Sequence, residues 1–255
     1  MNRLEQHLRD VRTSGRKILI PYFVAGLTDD WLECVRAAVH AGADAVEIGL
    51  PFSDPIMDGV VIQTAGTASL ERGTTFTSIM NDVSKLDVDV PLVAMTYFNV
   101  LHRAGIARAA GELRSAGFAG SIVPDLPLEE MAPWRNQSNE EELDLVLMVA
   151  PSTPDDRAIE IAKATQGFAY AAARMAVTGN ATNEGGARDV VRKIQRGSDV
   201  PVCVGIGVST PDDARDVVSF ADGVIVGSAL VQRLLDGEGP EGVEAFVSSL
   251  RTAIN

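Results

Sequence analysis

Short apolar, β-branched runs alternate with amphipathic stretches along nearly the whole chain. The runs are ILIPYFVAG (18–26), DAVEIGL (44–50), VPLVAMTYF (90–98), GSIVPDL (120–126), LDLVLMVA (143–150), GFAYAAA (167–173), VPVCVGIG (200–207) and ADGVIVGS (221–228). Between them lie stretches with helical spacing of apolar residues, such as DDWLECVRAAVHAG, AGIARAAGELRSAG and TPDDARDVVSF. Strands that alternate with helices build βαβ units and a parallel sheet. Eight such units in 255 residues fit a closed (β/α)8 TIM barrel better than an open doubly wound sheet. The fold class is therefore α/β, with one barrel domain over residues 1–255. Residues 2–13 predict an additional N-terminal helix covering the bottom of the barrel. AGADAVEIG (41–49), AGFAGSIVPD (116–125) and FADGVIVGS (220–228) share one plan, the weak repetition that stacked βα units leave.

One run carries a charge in its middle. Alternation along DAVEIGL puts Ala45, Glu47 and Gly49 on one face and Val46, Ile48 and Leu50 on the other. The apolar set belongs against the outer helices, which turns Glu47 into the barrel near its C-terminal mouth, where barrel enzymes keep their chemistry. Loss of hydration there predicts a raised pKa, as an acid that is also a base requires. The pattern equally admits a paired structural glutamate. The loop that follows, PFSDPIMDG, is restricted by Pro51 and Pro55, and Asp58-Gly59 turns it into a helix expected to begin near Ile62. By pattern, Asp58 is either a second acid at the same pocket or a turn or N-cap residue.

At the other end of the chain, Gly205-Ile206-Gly207-Val208-Ser209 precedes a helix start at Thr210-Pro211-Asp212-Asp213. Gly227-Ser228 then runs directly into ALVQRLL, a short helix after strand 8. Loops after strands 7 and 8 with a short extra helix form the usual phosphate site of such barrels. Glycines let backbone N–H groups approach the oxygens, and the helix dipole faces the anion. Ordinary strand-ending turns would look the same. The stretch 174–186 after strand 6 is polar, glycine-rich and long for a βα connection, as lids are.

Composition narrows the function. A formal net charge of −13 argues against nucleic-acid or anionic-membrane partners. It leaves room for a small anion held by backbone groups. Cys34 and Cys203 lie in unrelated apolar contexts, and no Cys/His cluster supports a metal or disulfide framework. His7, His40 and His102 read as structural. The N-terminus lacks an apolar signal core and no run is long enough to span a bilayer, so a cytoplasmic location is expected.

Together, EIGLPFSDPIMDG with VIQ (61–63), MTYFN (95–99), PDLPLEE (124–130), AVTG (176–179), GIGVSTP (205–211) and GSALV (227–231) resemble the tryptophan synthase alpha subunit family over nearly the whole chain. The resemblance implies a (β/α)8 lyase that cleaves indole-3-glycerol phosphate into indole and glyceraldehyde 3-phosphate by a retro-aldol step. It implies no cofactor of its own. Pyridoxal phosphate would belong to a beta subunit that receives the indole. Matched by position, the catalytic pair is Glu47 and Asp58. Substrate contacts match Tyr22, Tyr97, Tyr170 and the lid residue Thr178. Phosphate contacts match Gly179, Ile206, Gly207, Gly227 and Ser228. Asp54 and Asn99 match the face toward the partner.

The sequence departs from the family pattern at Val24, Met57, Ala173, Ala176 and Ile206. These changes leave both carboxylates in place but bear on lid closure and coupling to a partner. Two other readings follow: a stand-alone indole-releasing lyase of specialised metabolism, and a catalytically weak subunit that activates a beta-type partner. A sugar-phosphate isomerase barrel would give PFSDP and PDLPLEE no role.

Overall fold

A computed structural model describes residues 3–172, 184–205 and 207–255. Eight strands, β1 (Ile18–Val24), β2 (Val46–Gly49), β3 (Leu92–Met95), β4 (Phe118–Ile122), β5 (Asp144–Val149), β6 (Ala169–Ala172), β7 (Val202–Gly205) and β8 (Gly223–Val226), close in sequence order. All neighbouring pairs are parallel, and β1 meets β8 with Ile18 opposite Gly223. The barrel expected from the sequence is thus the barrel observed.

Among the described residues twelve helices accompany the strands. The first six are α1 (Arg3–Thr13), α2 (Trp31–His40), α3 (Val60–Glu71), α4 (Phe76–Val83), α5 (Phe98–Ala104) and α6 (Ile106–Ala116). The others are α7 (Ala132–Glu140), α8 (Asp155–Ala164), α9 (Glu184–Gly197), α10 (Pro211–Val218), α11 (Ser228–Leu235) and α12 (Gly239–Ile254). Among the described residues no helix is long and apolar enough to cross a membrane.

Several boundaries differ from the sequence reading. The third run is strand only over Leu92–Met95, and Phe98 already begins α5. The fourth strand starts at Phe118, two residues before the expected run, because Phe118 already pairs with Leu92, across a register shift before Gly120. Helix α3 begins at Val60 rather than near Ile62, directly after Gly59, whose extended backbone (φ −73°, ψ 163°) serves as its N-cap. Helix α10 starts as expected at Pro211, where Thr210 and Asp213 form a reciprocal capping box.

Strand alternation sorts the core into an inner and an outer part. Inside the barrel, Ile18, Ile20, Ala45, Val93, Ile122, Val146, Phe168, Cys203 and Ile225 pack together. Val46, Ile48 and Leu50 face the opposite way, into the layer between strands and helices. Helix α1 closes the bottom with Leu4, Leu8 and Val11, all packed on the inner cluster. Asp144 fixes its start by accepting the Glu5 backbone N–H at 2.9 Å. Asp44 holds the same end of the barrel, accepting from Arg251 at 2.8 Å, Arg16 at 2.9 Å and the Leu19 backbone N–H at 3.0 Å. Cys34 and Cys203 are both buried and free, as their apolar contexts suggested.

The fully buried Leu8 fills the barrel floor. Leu8→Ala should lower unfolding stability by about 2–5 kcal/mol in a denaturant titration with an unchanged slope. A loss below about 1 kcal/mol would show that α1 is not part of the cooperative core.

Candidate active site

The β2–α3 unit carries the site. Tyr22 of β1 pairs in register with Glu47 of β2, so both stand at one level near the carboxyl-terminal mouth. Glu47 is 1% exposed, and its Oε2 has no hydrogen-bond partner among the described residues. Burial pushes its carboxyl from the ordinary 4.5 up to about 8, and the nearby charge of Asp58 adds to the push. At neutral pH the group therefore holds a proton.

Asp58 is fixed by its loop. Its backbone N–H donates to the Pro55 carbonyl at 3.2 Å, and the Asp58 carbonyl accepts from Gln63 Nε2 at 2.8 Å. The Tyr97 hydroxyl donates to Asp58 Oδ2 at 3.1 Å and accepts the Met57 backbone N–H at 3.0 Å. Burial raises the Asp58 pKa, and the Tyr97 bond opposes that rise. The two carboxyls thus sit in different environments: one dry and without a partner at Oε2, one held as an acceptor. Such a difference separates an acid from a charge stabiliser.

Two buried tyrosines line the same mouth. Tyr22 and Tyr170 have phenols pushed well above the ordinary 10, first by burial and then by the charges of Asp58 and Glu47. Their rings occupy space that side chains would otherwise take. A Cβ at Gly49 would fall 2.0 Å from the Tyr22 hydroxyl, and one at Gly205 would fall 2.0 Å from that of Tyr170. Glycine at these two inward positions is a packing requirement. The sequence reading put Gly49 on the inward face and Gly205 in the phosphate loop, but neither as room for a tyrosine ring. Their inward parity on the strands was legible, but not which tyrosine would lean over them.

On the strand next to β1, β8 ends at Val226, Gly227 is the N-cap and α11 begins at Ser228. The short helix expected there exists, and a Cβ at Gly227 would lie 3.6 Å from the Tyr22 ring. Gly207 is exposed and adopts φ +107°, a conformation that favours glycine. Thr178, Gly179, Ala173, Ala176 and Ile206 lie outside the described residues.

Asp54 and Asn99 are exposed, so they do not join Glu47 in the barrel interior. Asp54 accepts the Ser53 hydroxyl at 2.6 Å. Phe52, which the sequence did not single out, stacks on Tyr97 with centroids 5.1 Å apart. It thereby braces the phenol that holds Asp58. Among the described residues no group of three or more His, Cys, Asp or Glu is placed to hold a metal ion.

A closed (β/α)8 barrel with an acidic pair and two tyrosines at its carboxyl-terminal mouth defines a class: barrel enzymes that work by side-chain acid–base chemistry. Comparison with known proteins specifies it. The family model for the tryptophan synthase alpha chain matches residues 8–252. The tryptophan synthase alpha chain of Streptomyces coelicolor is 44% identical over 98% of this chain and 96% of its own. That of Chloroflexus aggregans is 39% identical over 99% and 98%. A solved tryptophan synthase of Mycobacterium tuberculosis superposes with a TM-score of 0.92 at 36% identity, covering 99% of this chain and 98% of that one. Tryptophan synthase subunit alpha of Legionella pneumophila gives 0.89 at 30%, covering 100% and 98%. The chain belongs to the tryptophan synthase alpha chain family, a family of tryptophan-biosynthetic lyases.

The Glu47 carboxyl makes stability depend on pH. Its pKa is raised in the folded state, so the folded chain binds the extra proton. The contribution is complete below about pH 4.5 and is lost as pH rises toward about 8. Glu47→Gln removes this dependence. The variant should gain on the wild type by up to about 1.4 kcal/mol per pH unit across that window in denaturant titrations. A constant difference between pH 5 and 8 would show that Glu47 is ionised throughout.

Proposed function

We propose that this chain cleaves indole-3-glycerol phosphate to indole and glyceraldehyde 3-phosphate. The observation that carries the reading is the fully buried Glu47, protonated near neutral pH beside the hydrogen-bonded Asp58. Cleavage of the C–C bond needs a proton on the indole C3, so that the electrons of the breaking bond have a sink. It also needs removal of the proton from the adjacent side-chain hydroxyl. Glu47 supplies the first proton and, once ionised, takes the second. The bond electrons return to the ring and the hydroxyl carbon leaves as the aldehyde.

Asp58 accepts the indole N–H and stabilises the positive charge that develops on the ring. Tyr22, Tyr97 and Tyr170 wall the ring site, and Thr178 is assigned a substrate contact by its match to the family pattern. Gly227 and Ser228 at the start of α11, with Gly179, Ile206 and Gly207, hold the phosphate through backbone N–H groups and the helix dipole. The acid–base work belongs to this chain's own side chains, and pyridoxal phosphate is assigned to a beta-subunit partner.

A partner is favoured by one surface feature. Ile56, Met57 and Val60, on the loop that carries Asp58 and at the start of α3, are 81%, 57% and 65% exposed. Large apolar side chains clustered in sequence on one loop mark an interaction surface. With Asp54 and Asn99 they form the face on which a beta subunit would dock and through which it would act on Asp58.

The purified chain incubated with indole-3-glycerol phosphate should release indole, and more of it with a beta subunit present. No indole under either condition overturns the reaction. Equal rates with and without the partner favour the stand-alone lyase. Glu47→Gln and Asp58→Asn should each lower turnover at least about 100-fold while the chain stays folded. If Asp58→Asn still stimulates the beta reaction, the activating role survives loss of turnover.

Tyr97→Phe removes the hydrogen bond that holds the Asp58 pKa down. The acid limb of the rate profile should move to higher pH, because Asp58 then protonates earlier. An unshifted limb with a normal rate would remove Tyr97 from the site.

A further inference from the structure

A second concavity lies on the flank of the barrel, outside the mouth. The β2–α3 loop, the start of α4, helix α5 and the first turn of α6 enclose about 560 Å³, a size typical of small-molecule sites, roughly 300–1,000 Å³. Phe52 and Phe76 provide flat apolar walls, and Thr77, Asn99, Arg103 and Arg108 provide polar groups. No acidic residue is among those that line it, although the chain has 35 acidic against 22 basic residues. Arg108 is occupied by Glu112 at 2.6 Å. Arg103 makes no ion pair or hydrogen bond among the described residues, so it is the cation open to an anion.

One wall of this groove belongs to the site already described. Phe52 lines the groove and stacks on Tyr97, whose hydroxyl holds Asp58. A ligand against Phe52 therefore presses on the aromatic pair that orients the aspartate. We propose that the groove binds a small aromatic anion, a flat apolar body with one carboxylate or sulfonate, and that its occupancy is transmitted through Phe52 and Tyr97 to Asp58. The apolar body takes the space between Phe52 and Phe76, and the anionic head pairs with Arg103. The coupling half rests on the role proposed for Asp58, while the binding half stands on the groove alone.

Anilinonaphthalene sulfonate, titrated into the full chain by fluorescence, is the probe. It should bind at one saturable site and about tenfold more weakly to Arg103→Gln. Phenylnaphthylamine, the same body without the anion, should bind the wild type with similarly reduced affinity. Equal affinity of the probe for wild type and Arg103→Gln overturns the site, as does its displacement by glycerol 3-phosphate, which would place it in the barrel mouth.

Coupling is read from the NMR titration of the Asp58 carboxyl. Saturating probe should move its midpoint, and Phe52→Leu should abolish the movement. A midpoint that stays put in the wild type overturns the coupling. Neither readout requires turnover, so a chain that releases no indole refutes the proposed reaction without touching this test.

Discussion

The structure depends on a carboxyl group kept out of water. Glu47 is buried at the mouth of the barrel, and its Oε2 meets no donor among the described residues. Nothing at that oxygen compensates a charge, so the proton stays. Such an arrangement survives only on a stiff frame, because a looser one would admit water or a counterion. The frame is the closed ring of eight parallel strands, filled from below by α1 and the inner apolar layer. Asp44 and Asp144 show the contrast within the same barrel. Both are as buried as Glu47, yet Asp44 is met by two arginines and a backbone N–H, and Asp144 by the start of α1. Carboxyls at the bottom are satisfied and hold structure. The one at the mouth is left wanting a partner, which a substrate would supply.

Glycine and tyrosine make that mouth possible. Two inward strand positions give up their side chains, and the rings of Tyr22 and Tyr170 lean into the space. The walls become broad, flat and apolar. This suits a planar ring and keeps the local dielectric low, which strengthens each electrostatic contact inside.

Much of this was legible in the chain. Period-two alternation places Glu47 inside, and the alternation of strands with amphipathic stretches implies the barrel, because both depend on local pattern. Strand ends were less legible. MTYF reads as strand by composition, yet Phe98 opens a helix, since the barrel needs only a few residues per strand and the mouth begins where pairing stops. Asp58 could be a turn residue by local rules, and it does sit in a turn. What sets it apart is the bond from Tyr97, a residue on a different βα unit. The stacking of Phe52 on that tyrosine is equally non-local, and no spacing rule within either segment announces it.

Placing one acid on a strand and the other on a loop divides rigidity from responsiveness. Glu47 is locked by the sheet on both sides, paired to β1 and β3. Asp58 is held by a few hydrogen bonds and one aromatic stack, and its neighbours Ile56 and Met57 project into solvent. In the proposed coupling, covering those apolar side chains or filling the groove behind Phe52 acts on Asp58 first and reaches Glu47 only through the charge of Asp58, the smaller cause of its raised pKa. A proton donor benefits from a fixed environment, because its pKa is set by desolvation. A charge stabiliser on an adjustable loop can instead be switched by its surroundings, since a small displacement alters hydrogen-bond geometry steeply. The β2–α3 unit thus joins a carboxyl in a fixed setting to one in an adjustable setting, and under the roles proposed for them the surface of the barrel would gain access to chemistry in its interior.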